Sequence, residues 1–248
     1  VSALEGKVVV VTGAAGAIGR AAITALKAEG AVVTGVDLRA ADDTEADHFV
    51  TCDLTREDEV ADLYDGVAAR FGRIDGLFNN AGAAFADDGS TLDVDVAVFE
   101  RTLQVNVTSV LLCCKHGIPH LVAGGGGSVV NTASLVARMG SAVSQIGYTA
   151  SKGAVVALSR ELGVELARRG VRVNSLSPGP VASPMLEALF SADDVARRMV
   201  HIPAGRFGTA EEMARAALFL LSDASSFVNG IELVVDGGIS AAYVTPED

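Results

Sequence analysis

The chain of 248 residues carries 31 acidic against 19 basic side chains, a formal net charge of −12, and half of its residues are hydrophobic. That balance repels polyanions, and no Lys/Arg cluster offsets it locally, so nucleic acid and anionic membrane surfaces are excluded as partners. The length suits one α/β domain with a sizeable core, and no composition shift, repeat or polar linker divides residues 1–248.

Val8-Val9-Val10-Val11 is a β-branched run closed by Thr12-Gly13, and Ala17 to Glu29 follows with helix formers ending at Gly30. This reads strand, tight turn, helix. Val32 to Val36 and Phe49 to Cys52 are predicted strands, Glu57 to Arg70 a helix and Ile74 to Phe78 a strand; short apolar runs of this kind suit parallel strands buried on both faces. Val98 to Leu121 is predicted to be a long helix that hands over, at Gly124-Gly125-Gly126-Gly127, to a strand over Ser128 to Thr132. A helix over Gly147 to Arg169, a strand over Val171 to Leu176, a helix over Glu211 to Ser222 and a strand over Ile231 to Val235 complete the chain. The alternation predicts the α/β class: a single-domain, Rossmann-type doubly wound parallel sheet of about seven strands with helices on both faces and right-handed crossovers.

No apolar stretch is read as reaching the ~18 residues needed to span a bilayer, and no charged leader with a cleavage site follows Val1. Cys52, Cys113 and Cys114 lack metal-ligand spacing and read as buried reduced thiols, which suits a reducing compartment. A soluble cytoplasmic protein is the expectation. His48, His116, His120 and His201 form no triad or metal set; His116 and His120 share one face of the long helix and read as structural.

Thr12-Gly13-Ala14-Ala15-Gly16-Ala17-Ile18-Gly19 joins the first strand to the first helix, where backbone N–H groups and the helix dipole favour a pyrophosphate. A dinucleotide fits there, because small residues let the phosphates approach the backbone. Asp37 ends the second strand, 24 residues after Gly13, where a carboxylate accepts both hydroxyls of an adenosine ribose and repels a 2′-phosphate. This favours NAD over NADP, with Arg39 nearby as the feature that speaks for the phosphorylated form. Asp53, after the third strand, is placed either to meet the adenine edge or to build the turn into the Thr55 segment.

Tyr148 and Lys152 stand four residues apart on one helix face. A free phenol has a pKa near ~10, and a neighbouring ammonium lowers it, which makes such a pair an acid–base device for alcohol oxidation or ketone reduction.

Taken in order, these motifs resemble the short-chain dehydrogenase/reductase family, in its branch of about this length, over essentially the whole chain. The turn at Thr12 to Gly19 resembles the family's cofactor turn, Asn79-Asn80-Ala81-Gly82 the motif ending its fourth strand, and Asn106, Ser134, Tyr148 and Lys152 its catalytic tetrad. Pro178-Gly179, with Ser183 where Thr is usual, resembles the stretch over the nicotinamide, and Val235-Asp236-Gly237-Gly238 the C-terminal signature. The resemblance implies cofactor contacts at Gly13, Gly16, Ala17, Ile18, Gly19, Asp37, Asp53, Leu54, Asn80, Ala81, Gly82, Tyr148, Lys152, Pro178, Gly179, Val181 and Ser183. Two departures stand out: Ala17 replaces a glycine of the cofactor turn, and the stretch from Ser134 to Tyr148 is one residue longer than is common, which places an extra residue in the loop from Val136 to Gln145. Ser141 and Ser144 lie in that loop and read as turn residues, leaving Ser134 as the serine of the tetrad.

The resemblance implies hydride transfer between nicotinamide C4 and a carbinol carbon. Tyr148 is then the general acid–base, Lys152 tunes it and holds the nicotinamide ribose, and Ser134 donates to the substrate oxygen, a role in which one preorganised donor is typically worth ~3 kcal/mol. Asn106 breaks the helical ladder locally and holds a water on the proton path from Lys152. The substrate is a small hydroxy or keto compound, with 3-oxoacyl/3-hydroxyacyl compounds suggested by similarity to 3-oxoacyl-carrier-protein reductase-like members. Residues 183–207, with an amphipathic stretch from Pro184 to Phe190, form a substrate lid, and Arg138 and Gln145 are candidates to read a polar end of the substrate. The long apolar helices imply a homotetramer, with the tail Ile239 to Asp248 reaching a neighbour. Two other readings stand beside this one: an NADP(H)-dependent ketone reductase, and a non-catalytic NAD-binding regulator on the same fold, which has no need of the Tyr148–Lys152 pair.

Overall fold

Strand β1 (Val8–Thr12) lies in the middle of the sheet in the computed structural model, and all five of its residues are buried. The structure describes residues 3–41, 43–141, 143–182 and 191–243. Successive side chains of β1 point to opposite faces. Val8 and Val10 join a core formed with α2 (Glu57–Phe71), α4 (Ser109–Ala123) and α5 (Ile146–Leu166), through residues such as Val60, Leu121 and Val155. Val9 and Val11 join a second core, formed with α1 (Ala17–Ala28) and α7 (Ala210–Leu221), through Ile23, Leu26, Ala217 and Leu220. A strand covered on both sides has no polar face to keep, which is why its first four residues are all valine.

The remaining strands are β2 (Val32–Asp37), β3 (His48–Thr51), β4 (Gly76–Asn79), β5 (Gly127–Thr132), β6 (Val171–Pro178) and β7 (Glu232–Val235). They pair in parallel in the order β3-β2-β1-β4-β5-β6-β7, so the sheet has the seven strands expected. The order reverses direction between β1 and β4. Sheets of this kind bind ligands at that switch point, beyond the carboxyl ends of the strands.

Residues 96–123 form one helical path: α3 (Val96–Leu103), a π-helical turn over Gln104–Thr108, then α4. At 28 residues it is, by length and composition, apolar enough to cross a membrane, which corrects the expectation that no stretch reaches that length. Its apolar positions include Val110, Cys113, Cys114 and Leu121, and these serve as core against the sheet. A helix packed on a sheet and flanked by two others needs a broad apolar face for the same physical reason that a lipid-facing one does.

Helix α6 (Ala192–Met199) was not predicted as a separate element; Ser191 and Asp194 close a capping box at its start, and Arg197 and Arg198 stand in its last turn. Ser183 and the predicted amphipathic stretch from Pro184 to Phe190 lie outside the described residues, as does the tail beyond Tyr243.

Candidate active site

The loop after β1 turns at Gly13, whose φ of +67° is left-handed. A β-carbon there would stand 3.0 Å from the backbone of Ala81, and one at Gly19 would stand 2.1 Å from the Gly13 carbonyl oxygen, so the closure of strand, turn and helix admits neither. Gly16 caps α1 without a side-chain acceptor, and the first turn, which begins at Ala17, contains no acidic residue. The other described helices that start from a loop are provided for: α2 has Glu57, Asp58 and Glu59, α3 has Asp95, α5 has the carboxylate of Asp88 from a distant loop, and α6 and α7 have capping boxes. Helix α1 thus keeps its positive end and first N–H groups for something else, at the switch point of the sheet, and a pyrophosphate fits that need. The turn closes with Ala17 in place, so the missing glycine does not prevent the cradle from forming.

Around this turn the residues expected to meet the adenosine are joined by hydrogen bonds. Asp37 accepts the Ala15 N–H at 3.0 Å and the Arg39 N–H at 3.2 Å, which fixes its carboxylate beside the turn. The Thr12 hydroxyl accepts the N–H groups of Asn80 (3.0 Å) and Ala81 (3.1 Å), tying the end of β4 to the end of β1. Asp53 is engaged in its own turn, accepting the Thr55 N–H at 2.9 Å and hydroxyl at 2.7 Å, while Leu54 beside it is buried. Pro178 ends β6, Gly179 donates its N–H to Val235 at 2.9 Å, and Val181 bridges to Gly208.

Helix α5 brings Tyr148 and Lys152 to the end of β5, where Ser134 follows the strand. Lys152 is buried, with Nζ donating to the Thr132 carbonyl at 2.9 Å and lying 5.6 Å from the centre of the Tyr148 ring. Burial pushes its pKa down to about 8. Burial also raises the Tyr148 phenol, and a hydrogen bond with the Ser134 side chain pulls the other way. In the protein alone the phenol therefore stands above its free value, not below it as the Tyr–Lys spacing suggested, because desolvation outweighs the stabilisation available to the phenolate. Ser134 also accepts the Val136 N–H, at 3.4 Å.

Asn106 sits fully buried in the π-helical turn, where its side chain is held on three sides. Its Oδ1 accepts the Ala83 N–H at 2.8 Å, and its Nδ2 donates to the Ala83 carbonyl at 2.9 Å and to the Ser151 hydroxyl at 3.1 Å. Ser151 in turn donates to the Tyr148 carbonyl at 2.7 Å. The local break in the ladder expected at Asn106 is this π turn, which suits a functional position inside a long helix. Ser134, Tyr148, Lys152 and Asn106 are thereby brought together.

Other residues singled out in the sequence have structural employment. Arg138 donates Nε to Glu232 at 2.5 Å, and Glu232, itself buried, accepts the Ser177 hydroxyl at 2.7 Å, so Arg138 anchors the short turn Leu135–Ala137 to β7. Gln145 occupies the position before α5 without capping it. His116 and His120 face Glu57 and Asp65 at 3.1 and 3.2 Å and tie α4 to α2. Cys52, Cys113 and Cys114 are free and buried, and burial pushes Cys52 up to about 11 and Cys113 to about 12. Asp88, unmarked in the sequence, accepts the N–H groups of Gly147 at 2.9 Å and Tyr148 at 2.7 Å from 59 and 60 residues away. No local pattern points to it.

Residues 13–240 match the family model described as enoyl-(acyl carrier protein) reductase. The cis-4-hydroxycyclohexanecarboxylate dehydrogenase of Sinomonas cyclohexanicum is 41% identical over 95% of this chain and 97% of its own length. The D-threitol dehydrogenase of Mycolicibacterium smegmatis is 38% identical over 95% of this chain and 93% of its own. Among solved structures, levodione reductase superposes with a TM-score of 0.90 at 33% identity, covering 97% of this chain and all of that one. Likeness of this extent, in sequence and in fold, shows the family: the chain belongs to the short-chain dehydrogenase/reductase family, and is an oxidoreductase acting on CH–OH groups with a nicotinamide dinucleotide.

Proposed function

We propose that the protein is an NAD-dependent dehydrogenase of a ring-borne secondary alcohol, working in reverse as a ketone reductase. The observation that carries this reading is the meeting of Ser134, Tyr148 and Lys152 beside the uncapped start of α1. When bound, the nicotinamide supplies the hydride chemistry. The Tyr148 oxygen takes the carbinol proton, and Ser134 hydrogen-bonds the substrate oxygen as charge develops on it. Lys152 donates to Thr132 with one proton and presents the others to the nicotinamide ribose. Its charge, and that of a bound oxidised nicotinamide, oppose the rise that burial imposes on the phenol.

Asp37 sets the cofactor preference. Its carboxylate is fixed at the end of β2, while Arg39 points to a minor share for NADP, being exposed and free to swing towards a 2′-phosphate. The substrate class rests on the hydroxycyclohexane named in the Sinomonas relative. A homotetramer built through α4 and α5 accounts for Leu111 and Val164, apolar residues of these helices left 46% and 75% exposed.

The test is a panel of cyclohexanols, acyclic secondary alcohols and polyols, each with NAD and with NADP, followed by cofactor absorbance. Turnover of a ring alcohol with NAD at least tenfold ahead of NADP is expected. A preference for NADP contradicts the role given to Asp37, and turnover confined to acyclic substrates contradicts the ring alcohol.

A further inference from the structure

Helix α5 begins at Ile146, after Gln145, with no side-chain cap of its own and no acidic residue in its first turn. The N–H groups that a cap normally satisfies are those of the second and third helical residues, here Gly147 and Tyr148. Both are satisfied by one distant carboxylate: Oδ1 of Asp88 accepts from Gly147 at 2.9 Å, and Oδ2 accepts from Tyr148 at 2.7 Å. Asp88 is 5% exposed. A carboxylate that accepts two N–H groups at a helix start is also well matched to the positive end of the helix.

The fit is close on the helix side. A β-carbon on Gly147 would stand 3.2 Å from Asp88 Oδ1 and 3.2 Å from the β-carbon of Thr102, tighter than ordinary contact, so a side chain at 147 would press on the carboxylate by a few tenths of an ångström.

The loop that carries Asp88 is itself held along its length. Asn80 and Ala81 hang on the Thr12 hydroxyl of the cofactor turn, and Ala83 is gripped through both its N–H and its carbonyl by Asn106. Arg101 lies 4.0 Å over the Phe85 ring and pairs with Asp87 at 2.8 Å, and the Asp88 N–H donates to the Phe85 carbonyl at 3.1 Å. Residues 80–88 thus form a strut from the cofactor turn to the first turn of α5.

We infer that Asp88 is a positioning residue for the reaction: as a remote cap on α5 it sets where the Tyr148 phenol stands relative to Ser134 and the cofactor cradle. The inference rests on the dehydrogenase reading given above. Lys152 lies one turn further on and has its own anchor at Thr132, so loss of the cap displaces Tyr148 and leaves the lysine in place. Misplacement of about 1 Å at a reacting group costs up to about a hundredfold in rate.

The experiment compares Asp88→Ala and Asp88→Asn with wild type by amide hydrogen exchange, by NADH titration, and by kcat on cyclohexanol and cis-4-hydroxycyclohexanecarboxylate. In Asp88→Ala the Gly147 and Tyr148 amides exchange at least about tenfold faster, while the amides beyond Lys152 keep their protection. Its kcat falls about ten- to a hundredfold with NADH affinity within about twofold, and Asp88→Asn recovers part of both losses, because its amide oxygen still accepts one N–H. Unchanged exchange at Gly147 and Tyr148 overturns the cap. A parallel fall in kcat and NADH affinity, or an asparagine variant no better than alanine, overturns the positioning role. Exchange and NADH binding need no substrate, so a wild type inactive on every alcohol with the exchange result intact overturns the dehydrogenase reading instead, and with it the catalytic purpose of the cap.

Discussion

The two edges of the sheet use charge in opposite ways. At the amino edge, where β4, β5 and β6 begin, a cleft of about 720 Å3 opens, yet its charged groups satisfy one another. Lys7 pairs with Asp223 at 2.7 Å, Arg73 with Asp75 at 2.5 Å, and Arg172 spends its guanidinium on the carbonyls of Leu220, Ser222 and Val228. At the carboxyl edge the groups keep capacity in hand. Helix α1 starts without an acceptor, the buried Lys152 has one carbonyl for its three protons, and burial holds both Lys152 and Tyr148 away from their ordinary pKa values. Unspent donors and shifted pKa values, more than the size of a cavity, mark where chemistry is done.

Substitutions at the two edges should therefore differ in kind. The largest effect is expected for Lys152→Met, which removes turnover and weakens NADH binding yet raises thermal stability at pH 7. Lys152 is buried and its folded pKa of about 8 lies below the unfolded 10.5, so the unfolded chain holds the proton more tightly. The cost to folding is fully present below about pH 8 and is relieved as pH rises towards 10.5. Wild type and variant should thus converge in Tm across that window, from a gap on the order of 3 kcal/mol at most. A variant less stable than wild type at pH 7 would show that the ammonium has partners that repay its burial. The smallest effect is expected at the amino edge, for Lys7→Met. Its partner Asp223 is largely exposed, so stability should change by less than about 1 kcal/mol and kcat/KM not at all. A tenfold loss of activity there would erase the contrast between the edges.

How much of this was legible in the sequence depends on how local the physics is. A strand such as Val8–Thr12 announces itself because burial on both faces demands a continuous apolar run. The Tyr148–Lys152 spacing and the glycine turn are likewise local. The sign of the Tyr148 shift was not, because it depends on how much protein surrounds the ring. Arg138 looked free to meet a substrate until the fold brought Glu232 to it from 94 residues away. Asp88 lay hidden for the same reason: a cap supplied from another loop leaves no mark near the helix it serves. Residues 96–123 showed the converse, since a helix apolar enough to cross a bilayer and a helix that covers a sheet share one composition.

The most direct measurement is the kcat of Tyr148→Phe on a ring alcohol that the wild type oxidises, taken with the Kd for NADH. Loss of the hydroxyl should lower kcat by at least about a hundredfold, as removal of a general acid–base does, and leave the NADH Kd within about twofold, because Lys152 keeps its anchor on Thr132. A variant that turns over within about threefold of wild type would contradict the assignment of the carboxyl edge as the catalytic centre.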